Sequence, residues 1–232
     1  MRSSELPQVK ALGLFETMSD QSFERLMQAA YLQTFPAHLT LIHEGVTADF
    51  LYVLVEGAVE LYAAANGREE TMAVVRPVET FILAAVLKDA VYLMAARTIA
   101  RSRILLVPAA DVRLAFEEDA AFARAIVSEL ATRYRGVVKE HKNIKLRSSV
   151  ERLANRLIRY EAEQGGHGVL ELPYEKRILA SLLGMTPENL SRALRTLKPY
   201  GVLVSGSTIR LTDRKALETL AKPSAFIDVD AS

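Results

Sequence analysis

The chain of 232 residues contains no cysteine and no tryptophan. Without cysteine it cannot form disulfides, thiolate zinc sites or a cysteine-bound iron–sulfur cluster. Long apolar runs are also missing, because the most apolar region, residues 81–96, is divided by Lys88 and Asp89 and is too short to span a bilayer. Residues 1–10 lack the apolar core of a signal peptide. We therefore expect a cytoplasmic protein with no membrane partner.

Charge is distributed unevenly along the chain, although the net charge is only +1. Residues 1–96 contain 6 Lys+Arg and 12 Asp+Glu, whereas residues 97–214 contain 21 and 13. An acidic first half and a basic second half are typical of a sensor joined to a nucleic-acid-binding domain. Chance clustering of charges on solvated helices is the alternative. Residues 223–232 are expected to be a frayed tail.

The first half of the chain predicts a short helical segment followed by a β domain. The helical segment covers residues 12–31, and Asn66-Gly67 predicts a tight hairpin turn. Short apolar runs at this spacing favour a sandwich or barrel. The predicted strands are residues 51–57, 58–64, 71–75 and 103–108, and the apolar set of the helical segment is Leu14, Phe15, Phe23, Leu26 and Met27.

A long helix is predicted over residues 111–145, where Gly136 is the one glycine and no proline occurs. Its apolar face could lie on its own β domain or pair with a second copy of the chain. We favour pairing, and hence a homodimer, because so long a helix extends beyond a small domain. The predicted dimer interface consists of Phe122, Ile126, Leu130, Tyr134 and Val137.

The segment KRILASLLGMTPENLSRALRTLK, residues 176–198, predicts two short helices that meet at Gly184. Glycine suits a left-handed turn, Thr186 can cap the second helix, and Pro187 fits its first turn. The second helix carries two stripes at helical spacing. The inward stripe is Leu190, Ala193, Leu194 and Leu197, and the outward stripe is Glu188, Ser191, Arg192 and Arg195.

The outward stripe offers an acceptor, a hydroxyl and two guanidinium groups, which are the groups that contact base edges in the major groove. Ala180, Gly184 and Leu190 stand where a helix-turn-helix needs a small residue, a turn glycine and an aliphatic anchor. The run VLVSGSTIRL, residues 202–211, predicts a following hairpin, as in a winged helix-turn-helix. An ordinary helical hairpin with a solvated face is the alternative.

In this order, with these motifs, the chain resembles the superfamily of the cyclic-AMP receptor and the fumarate/nitrate-reduction regulator (CRP/FNR). IHEGVTADFLYVLVEGAVELY resembles the sensor pattern, and Glu188, Ser191 and Arg192 match the E-x-x-S-R signature of the fumarate/nitrate branch. The resemblance implies an α+β fold and a transcription regulator that binds double-stranded DNA and works with RNA polymerase. The implied domains are a β jelly-roll sensor over residues 1–110, a dimerisation helix over 111–147, a winged helix-turn-helix over 148–222 and a tail over 223–232.

The resemblance also implies how the regulator contacts an inverted repeat of TTGAT-like half-sites. Arg192 contacts guanine, Glu188 accepts from an exocyclic amine, and Ser191 contacts thymine or its phosphate. Phosphate contacts are expected from Thr186, Arg195 and Lys198.

The sequence argues against cyclic AMP as the effector. Relatives that bind it have a Gly-Glu pair for the ribose and an Arg-Ser pair for the phosphate, whereas an ungapped alignment places Tyr92 and Leu93 at the second pair. Arg97 aligns with a different arginine of the family. What remains is an apolar pocket or, alternatively, plain barrel core. Its candidate residues are Phe81, Leu83, Val86, Leu87, Tyr92, Leu93 and Met94.

Haem is one candidate cofactor, as in the nitric-oxide-responsive branch of the superfamily, and needs an axial ligand such as a histidine. The histidines are His38, His43, His141 and His167. Two other functions stay open: a cupin-type metalloenzyme that uses His38, His43 and Glu44, and a repressor without a ligand whose barrel only dimerises. No catalytic arrangement and no full metal site emerges, so we expect a protein that is not an enzyme.

Overall fold

The computed structural model of the chain describes residues 5–228 and has a mixed helix and sheet architecture, which confirms the α+β class. It consists of two compact units, and the boundary between them along the chain lies between Arg133 and Tyr134. In the described range no helix combines the length and apolar character needed to cross a membrane.

The first unit contains two four-stranded antiparallel sheets. Its strands are β1 (Tyr31–Phe35), β2 (Thr40–Ile42), β3 (Phe50–Glu56), β4 (Val59–Ala65), β5 (Arg68–Val75), β6 (Glu79–Phe81), β7 (Ala95–Thr98) and β8 (Ser102–Pro108). One sheet has the order β1-β8-β3-β6 and the other has the order β2-β7-β4-β5. Side chains of both sheets share one apolar core, in which Leu51, Leu54 and Ile104 are fully buried.

The hairpin predicted at Asn66-Gly67 joins β4 to β5, with Ala65 paired to Arg68. Asn66 and Gly67 have φ values of 54° and 72°, so both central residues of this two-residue turn are left-handed. That conformation matches the twist of the flanking strands and is accessible to asparagine and glycine. The four predicted strands are confirmed, with ends that differ by up to three residues.

Five helices accompany the two sheets in the described residues. They are α1 (Leu6–Lys10), α2 (Asp20–Gln28), α3 (Leu83–Lys88), α4 (Ala109–Glu118) and α5 (Ala120–Leu146). The helix predicted over residues 12–31 is wrong in its first part, where residues 11–18 form turns. The Ser19 hydroxyl accepts a hydrogen bond from the Ser22 amide and starts α2 there. The five apolar residues predicted for this segment are nevertheless all buried.

The helix predicted over residues 111–145 is in fact two helices that break at Asp119. One carboxylate oxygen of Asp119 accepts from the amides of Ala121 and Phe122, at 3.0 and 2.9 Å, and so caps α5. The other accepts from the Ser19 amide at 3.1 Å. Chiefly because of the Phe122 amide, the pKa of Asp119 is lowered to about 2. An aspartate cap can therefore interrupt a helix without glycine or proline.

In the described residues, the second unit contains the end of α5, four further α-helices, a 3-10 helix (Lys198–Tyr200) and a three-stranded sheet. They are α6 (Ser149–Glu163), β9 (Val169–Glu171), α7 (Lys176–Leu182), α8 (Pro187–Leu197), β10 (Val202–Ser205), β11 (Thr208–Leu211) and α9 (Arg214–Ala221). Ser148 and Glu151 form a capping box at the start of α6. The apolar core of this unit includes the fully buried Leu153, Leu157 and Ile209.

Candidate nucleic-acid interface and effector region

Helices α7 and α8 form the predicted helix-turn-helix. Gly184 lies in the turn with φ of 59°, in the left-handed region where other residues are strained. Ala180 in α7 and Leu190 in α8 are buried in the shared core. A small residue, a turn glycine and an aliphatic anchor thus occupy the three positions expected of them.

The second helix begins as predicted. The Thr186 hydroxyl accepts from the Asn189 amide at 3.3 Å, and Pro187 follows in the first turn. The inward stripe is confirmed, because all four of its side chains are buried: Leu190, Ala193, Leu194 and Leu197. With its apolar side held by the core, α8 has one orientation and presents one polar face to solvent.

That polar face, which we call the reading face, carries the residues predicted to contact DNA. All six are exposed: Thr186, Glu188, Ser191, Arg192, Arg195 and Lys198. The Ser191 hydroxyl donates to the Pro187 carbonyl at 3.0 Å, which leaves its oxygen free to accept. A hydrogen bond from its own amide, then the Thr186 hydroxyl and Arg192, lower the pKa of Glu188. Glu188 is therefore ionised and acts as an acceptor.

The predicted hairpin follows α8, which we call the reading helix. It consists of β10 and β11, with Ser205 paired to Thr208 across the turn. Strand β9 adds to β11 and completes a three-stranded wing. On the exposed side of this sheet, Arg210 pairs with Leu203 and Val169.

The predicted dimer residues divide into two groups. Phe122 and Ile126 are fully buried in the core of the first unit, so they are not available to a partner and their assignment to the dimer interface is wrong. The start of α5 packs on its own β domain, which was the alternative for this face. Leu130 is partly buried against the same core, whereas Tyr134 and Val137 are 70% and 66% exposed.

A row of mainly apolar residues on α5 follows alternating spacings of three and four, the pattern of a coiled-coil contact. We call this row the α5 seam: Val127, Leu130, Tyr134, Val137, His141 and Ile144. Except for the partly buried Leu130, every member is exposed. The predicted face contains three residues of this row, Leu130, Tyr134 and Val137, but its first two residues follow the buried side of the helix.

Known proteins resemble the chain over most of its length. The family described as "Cyclic nucleotide-binding domain" matches residues 32–119, and the "Crp-like helix-turn-helix domain" matches residues 151–220. The "CRP-like cAMP-activated global transcriptional regulator" of Mycobacterium tuberculosis is 21% identical over 216 residues, which are 90% of this chain and 96% of that protein.

Solved structures of CRP/FNR-type proteins have a similar fold. FixK2 from Bradyrhizobium japonicum is 25% identical with a TM-score of 0.70, covering 88% of this chain and 100% of FixK2. A transcriptional regulator of the CRP/FNR family from Eubacterium rectale has a similar fold: it is 20% identical with a TM-score of 0.74, covering 91% of this chain and 99% of that protein. The chain belongs to the CRP/FNR superfamily of transcription regulators. This CRP/FNR protein is thus a DNA-binding regulator and not an enzyme, and the metalloenzyme alternative is wrong.

Two polar side chains of the effector region, Tyr92 and Arg97, are each bound to carboxylates. Tyr92, which the ungapped alignment placed at the phosphate-binding arginine of relatives, is buried, and its hydroxyl donates to the Asp49 carboxylate at 2.9 Å. Burial, and then Asp49, raise the pKa of Tyr92, which keeps the donor protonated. Arg97 is paired with Glu60 at 2.7 Å and with Glu69 at 2.6 Å. Both the Tyr92 hydroxyl and the Arg97 guanidinium therefore have acidic partners within the first unit.

The seven predicted effector residues do not share one environment. Phe81 stacks on Tyr52 with ring centroids 5.1 Å apart, as part of a packed core. Leu93 differs from the other six residues, because its side chain is 76% exposed. The buried members are Phe81, Leu83, Val86 and Tyr92, and Leu87 and Met94 are partly buried.

The four histidines are all exposed, including His38 and His43 in the first unit. Neither therefore lies among the buried apolar residues, where an axial ligand for haem would be needed. In the range that the structure describes, no three His, Asp or Glu side chains come together as a metal site.

Proposed function

We propose that this regulator is a homodimer that binds an inverted repeat of TTGAT-like half-sites in double-stranded DNA through the reading face of α8. One observation carries the proposal: Glu188, Ser191 and Arg192 are exposed together on a helix whose opposite face is buried. A helix held in this way can enter the major groove with its N-terminal residues against the bases.

Three residues of the reading face supply sequence preference in this proposal. Arg192 has a planar fork of donors that suits the two acceptors of guanine. The ionised Glu188 accepts from an exocyclic amine, and Ser191 contacts thymine or the adjacent phosphate. Each good base contact contributes about 1–3 kcal/mol of discrimination.

Three further residues position the helix without specifying sequence. Arg195 and Lys198 lie one to two turns further along the reading face, and Thr186 lies at its start. Contacts of this kind fix the register of the protein on the phosphate backbone.

The α5 seam is the surface through which two copies pair in this proposal. Its apolar members recur at the spacing of a two-stranded coiled coil, and Tyr134 and Val137 have few neighbours in their own chain. Symmetric pairing places the two half-site centres about 34 Å apart. RNA polymerase is the further partner that membership of the family implies.

The effector, in this proposal, is not a cyclic nucleotide. The Tyr92 hydroxyl is bonded to Asp49 and Arg97 is paired with Glu60, while Phe81, Leu83 and Val86 are buried apolar side chains. A small apolar molecule is the class of effector that these buried apolar side chains favour. A visible spectrum of the purified protein separates this class from haem, because only haem gives a Soret band.

The test of DNA binding is a titration of labelled duplexes at one salt concentration, followed by fluorescence anisotropy. We expect an inverted TTGAT repeat to bind at least a hundredfold more tightly than a scrambled duplex of the same length. Equal affinity for the two duplexes refutes sequence-specific reading.

A further inference from the structure

The joint between the long helix and the DNA-binding domain is short. Helix α5 ends at Leu146 and Ser148 caps α6, so Arg147 is the one residue between the helix and the cap. Only two residues, Arg147 and Ser148, connect the two helices, and a change in their backbone angles would change the angle between α5 and α6. The contacts around Arg147 therefore decide whether the joint is rigid.

One side of the joint is fixed by Arg152, whose side chain is buried. Its guanidinium donates to the Arg147 carbonyl at 2.8 Å, and on its other side to the carbonyls of Leu183 and Gly184 at 2.8 and 3.3 Å. These carbonyls lie at the end of α5 and in the turn of the helix-turn-helix. A single cation thus links the last turn of the long helix to the turn that precedes the reading helix.

The other side is fixed by the segment that follows α9. The Arg147 side chain is 7% exposed, and its two terminal nitrogens lie 2.6 Å from the two carboxylate oxygens of Asp228. The Ser224 amide donates to the same carboxylate at 2.6 Å, and Asn143 of α5 accepts from Arg147 at 3.2 Å. Burial alone raises the pKa of Asp228, but the hydrogen bonds from Arg147 hold it below its usual value.

The neighbouring residues add to this contact. Ile227 lines a small cleft with Asn155 of α6, and the Lys142 ammonium of α5 lies 5.6 Å from the centre of the Phe226 ring. The frayed tail expected over residues 223–232 is thus wrong for residues 223–228, while residues 229–232 lie outside the described range. The sequence missed this contact because Arg147 and Asp228 are 81 positions apart.

We propose that residues 223–228 form a latch that locks the joint between α5 and the DNA-binding domain, and that this lock determines which half-site spacing the dimer accepts. The proposal rests on the proposed function, since spacing has meaning only for a dimer on an inverted repeat. In such a dimer the distance between the two reading helices sets the half-site spacing. A joint that bends lets the reading helices reach other spacings, whereas a locked joint does not.

Asp228→Asn tests the latch, because it removes the charge that Arg147 needs while keeping the size of the side chain. The matched control is Lys222→Gln. It breaks the exposed ion pair of the Lys222 side chain with Glu151 of α6, next to the latch. The Lys222 carbonyl, which accepts from Arg147 at 3.4 Å, is kept. Arg147→Gln and the double variant complete a mutant cycle, in which the double variant should behave like either single one. Thermal melts verify that all variants are folded.

The readout is affinity, by anisotropy, for the wild type's best inverted repeat, for the same repeat lengthened by two base pairs, and for a single half-site. We expect Asp228→Asn to reduce the preference for the best spacing about fivefold, equivalent to about 1 kcal/mol, which is the usual net contribution of one intramolecular hydrogen bond. Affinity for the single half-site should stay the same within about twofold. Lys222→Gln should leave both quantities unchanged.

Each outcome separates the latch from the proposed function. If the wild type discriminates spacing and Asp228→Asn discriminates equally well, the latch is refuted and the proposed function stands. If the wild type does not prefer the inverted repeat, the proposed function fails, and hydrogen exchange then decides whether the segment locks the joint. Faster exchange of the Ser224 amide and the last turn of α5 in Asp228→Asn than in Lys222→Gln supports the lock, and equal exchange overturns it.

Discussion

Val137→Asp is expected to separate the regulator into monomers without unfolding it. Val137 lies near the middle of the α5 seam and is 66% exposed in the single chain, so few of its own neighbours are lost on substitution. In a symmetric dimer each substitution occurs twice, and the two new carboxylates lie near the axis where the two helices meet. The dimer then loses apolar burial and gains charge repulsion.

The magnitude follows from the exposed surface. Burying a valine side chain fully contributes about 1.5–3 kcal/mol. Since about two-thirds of Val137 remains for a partner to cover, two copies contribute at least about 2 kcal/mol to dimerisation. Loss of that term alone raises the dimer dissociation constant about thirtyfold, and desolvation of two aspartates raises it further.

Sedimentation velocity over a concentration series measures this constant directly. The control is Thr132→Asp, which places the same charge on the same helix at an exposed position away from the seam. It should dimerise like the wild type. A Val137→Asp protein that dimerises as tightly as Thr132→Asp refutes pairing through the seam.

Three further predictions concern the reading face, the cap of α5 and the turn of the helix-turn-helix. Arg192→Ala should reduce the preference for the inverted repeat over a scrambled duplex by about 1–3 kcal/mol per half-site, whereas Lys198→Ala should weaken binding to both duplexes alike and flatten the salt dependence, as titrations at several salt concentrations can show. Asp119→Ala should lower the free energy of unfolding by about 1–2 kcal/mol at neutral pH. Because the pKa of Asp119 is lowered to about 2, this contribution is present above pH 4 and disappears as the pH falls through 2, which urea unfolding at a series of pH values measures. Gly184→Ala should destabilise the second unit by about 1–2 kcal/mol through its left-handed backbone alone, since the added Cβ comes no closer than 3.9 Å to Ile144, and Gly184→Asn should cost less in the same unfolding assay.

Local signals were sufficient for much of the fold. The Asn66-Gly67 turn and the Gly184 turn are both set by the φ values that only a few residue types adopt, so they could be predicted from two or three letters. The reading helix was equally predictable, because its cap, its proline and its two stripes lie within a dozen consecutive residues. Its four buried side chains are the four that the periodicity selected.

The long helix shows where periodicity is ambiguous. Phe122 and Ile126 and the α5 seam both recur at helical spacing, and composition does not say which face meets the β domain and which meets a partner. The structure resolves this for the first half of the helix, where Phe122 stacks on Phe15 with ring centroids 6.0 Å apart. Phe15 precedes it by more than a hundred residues, so no local pattern could indicate the contact.

The difference between local signals and contacts over long sequence distances also explains why the DNA-binding half is easier to interpret from sequence than the sensor half. The proposed base contacts come from one short helix, α8, so Glu188, Ser191 and Arg192 are also close together in the sequence. The effector region is assembled from distant strands: the Tyr92–Asp49 hydrogen bond spans 43 positions, and the Arg97–Glu60 ion pair spans 37. Whether a polar side chain in this region already has a hydrogen-bond or ion-pair partner depends on residues that only the fold brings together. The sequence shows Tyr92 and Asp49 as separate letters, and only the fold shows that their side chains are hydrogen-bonded to each other.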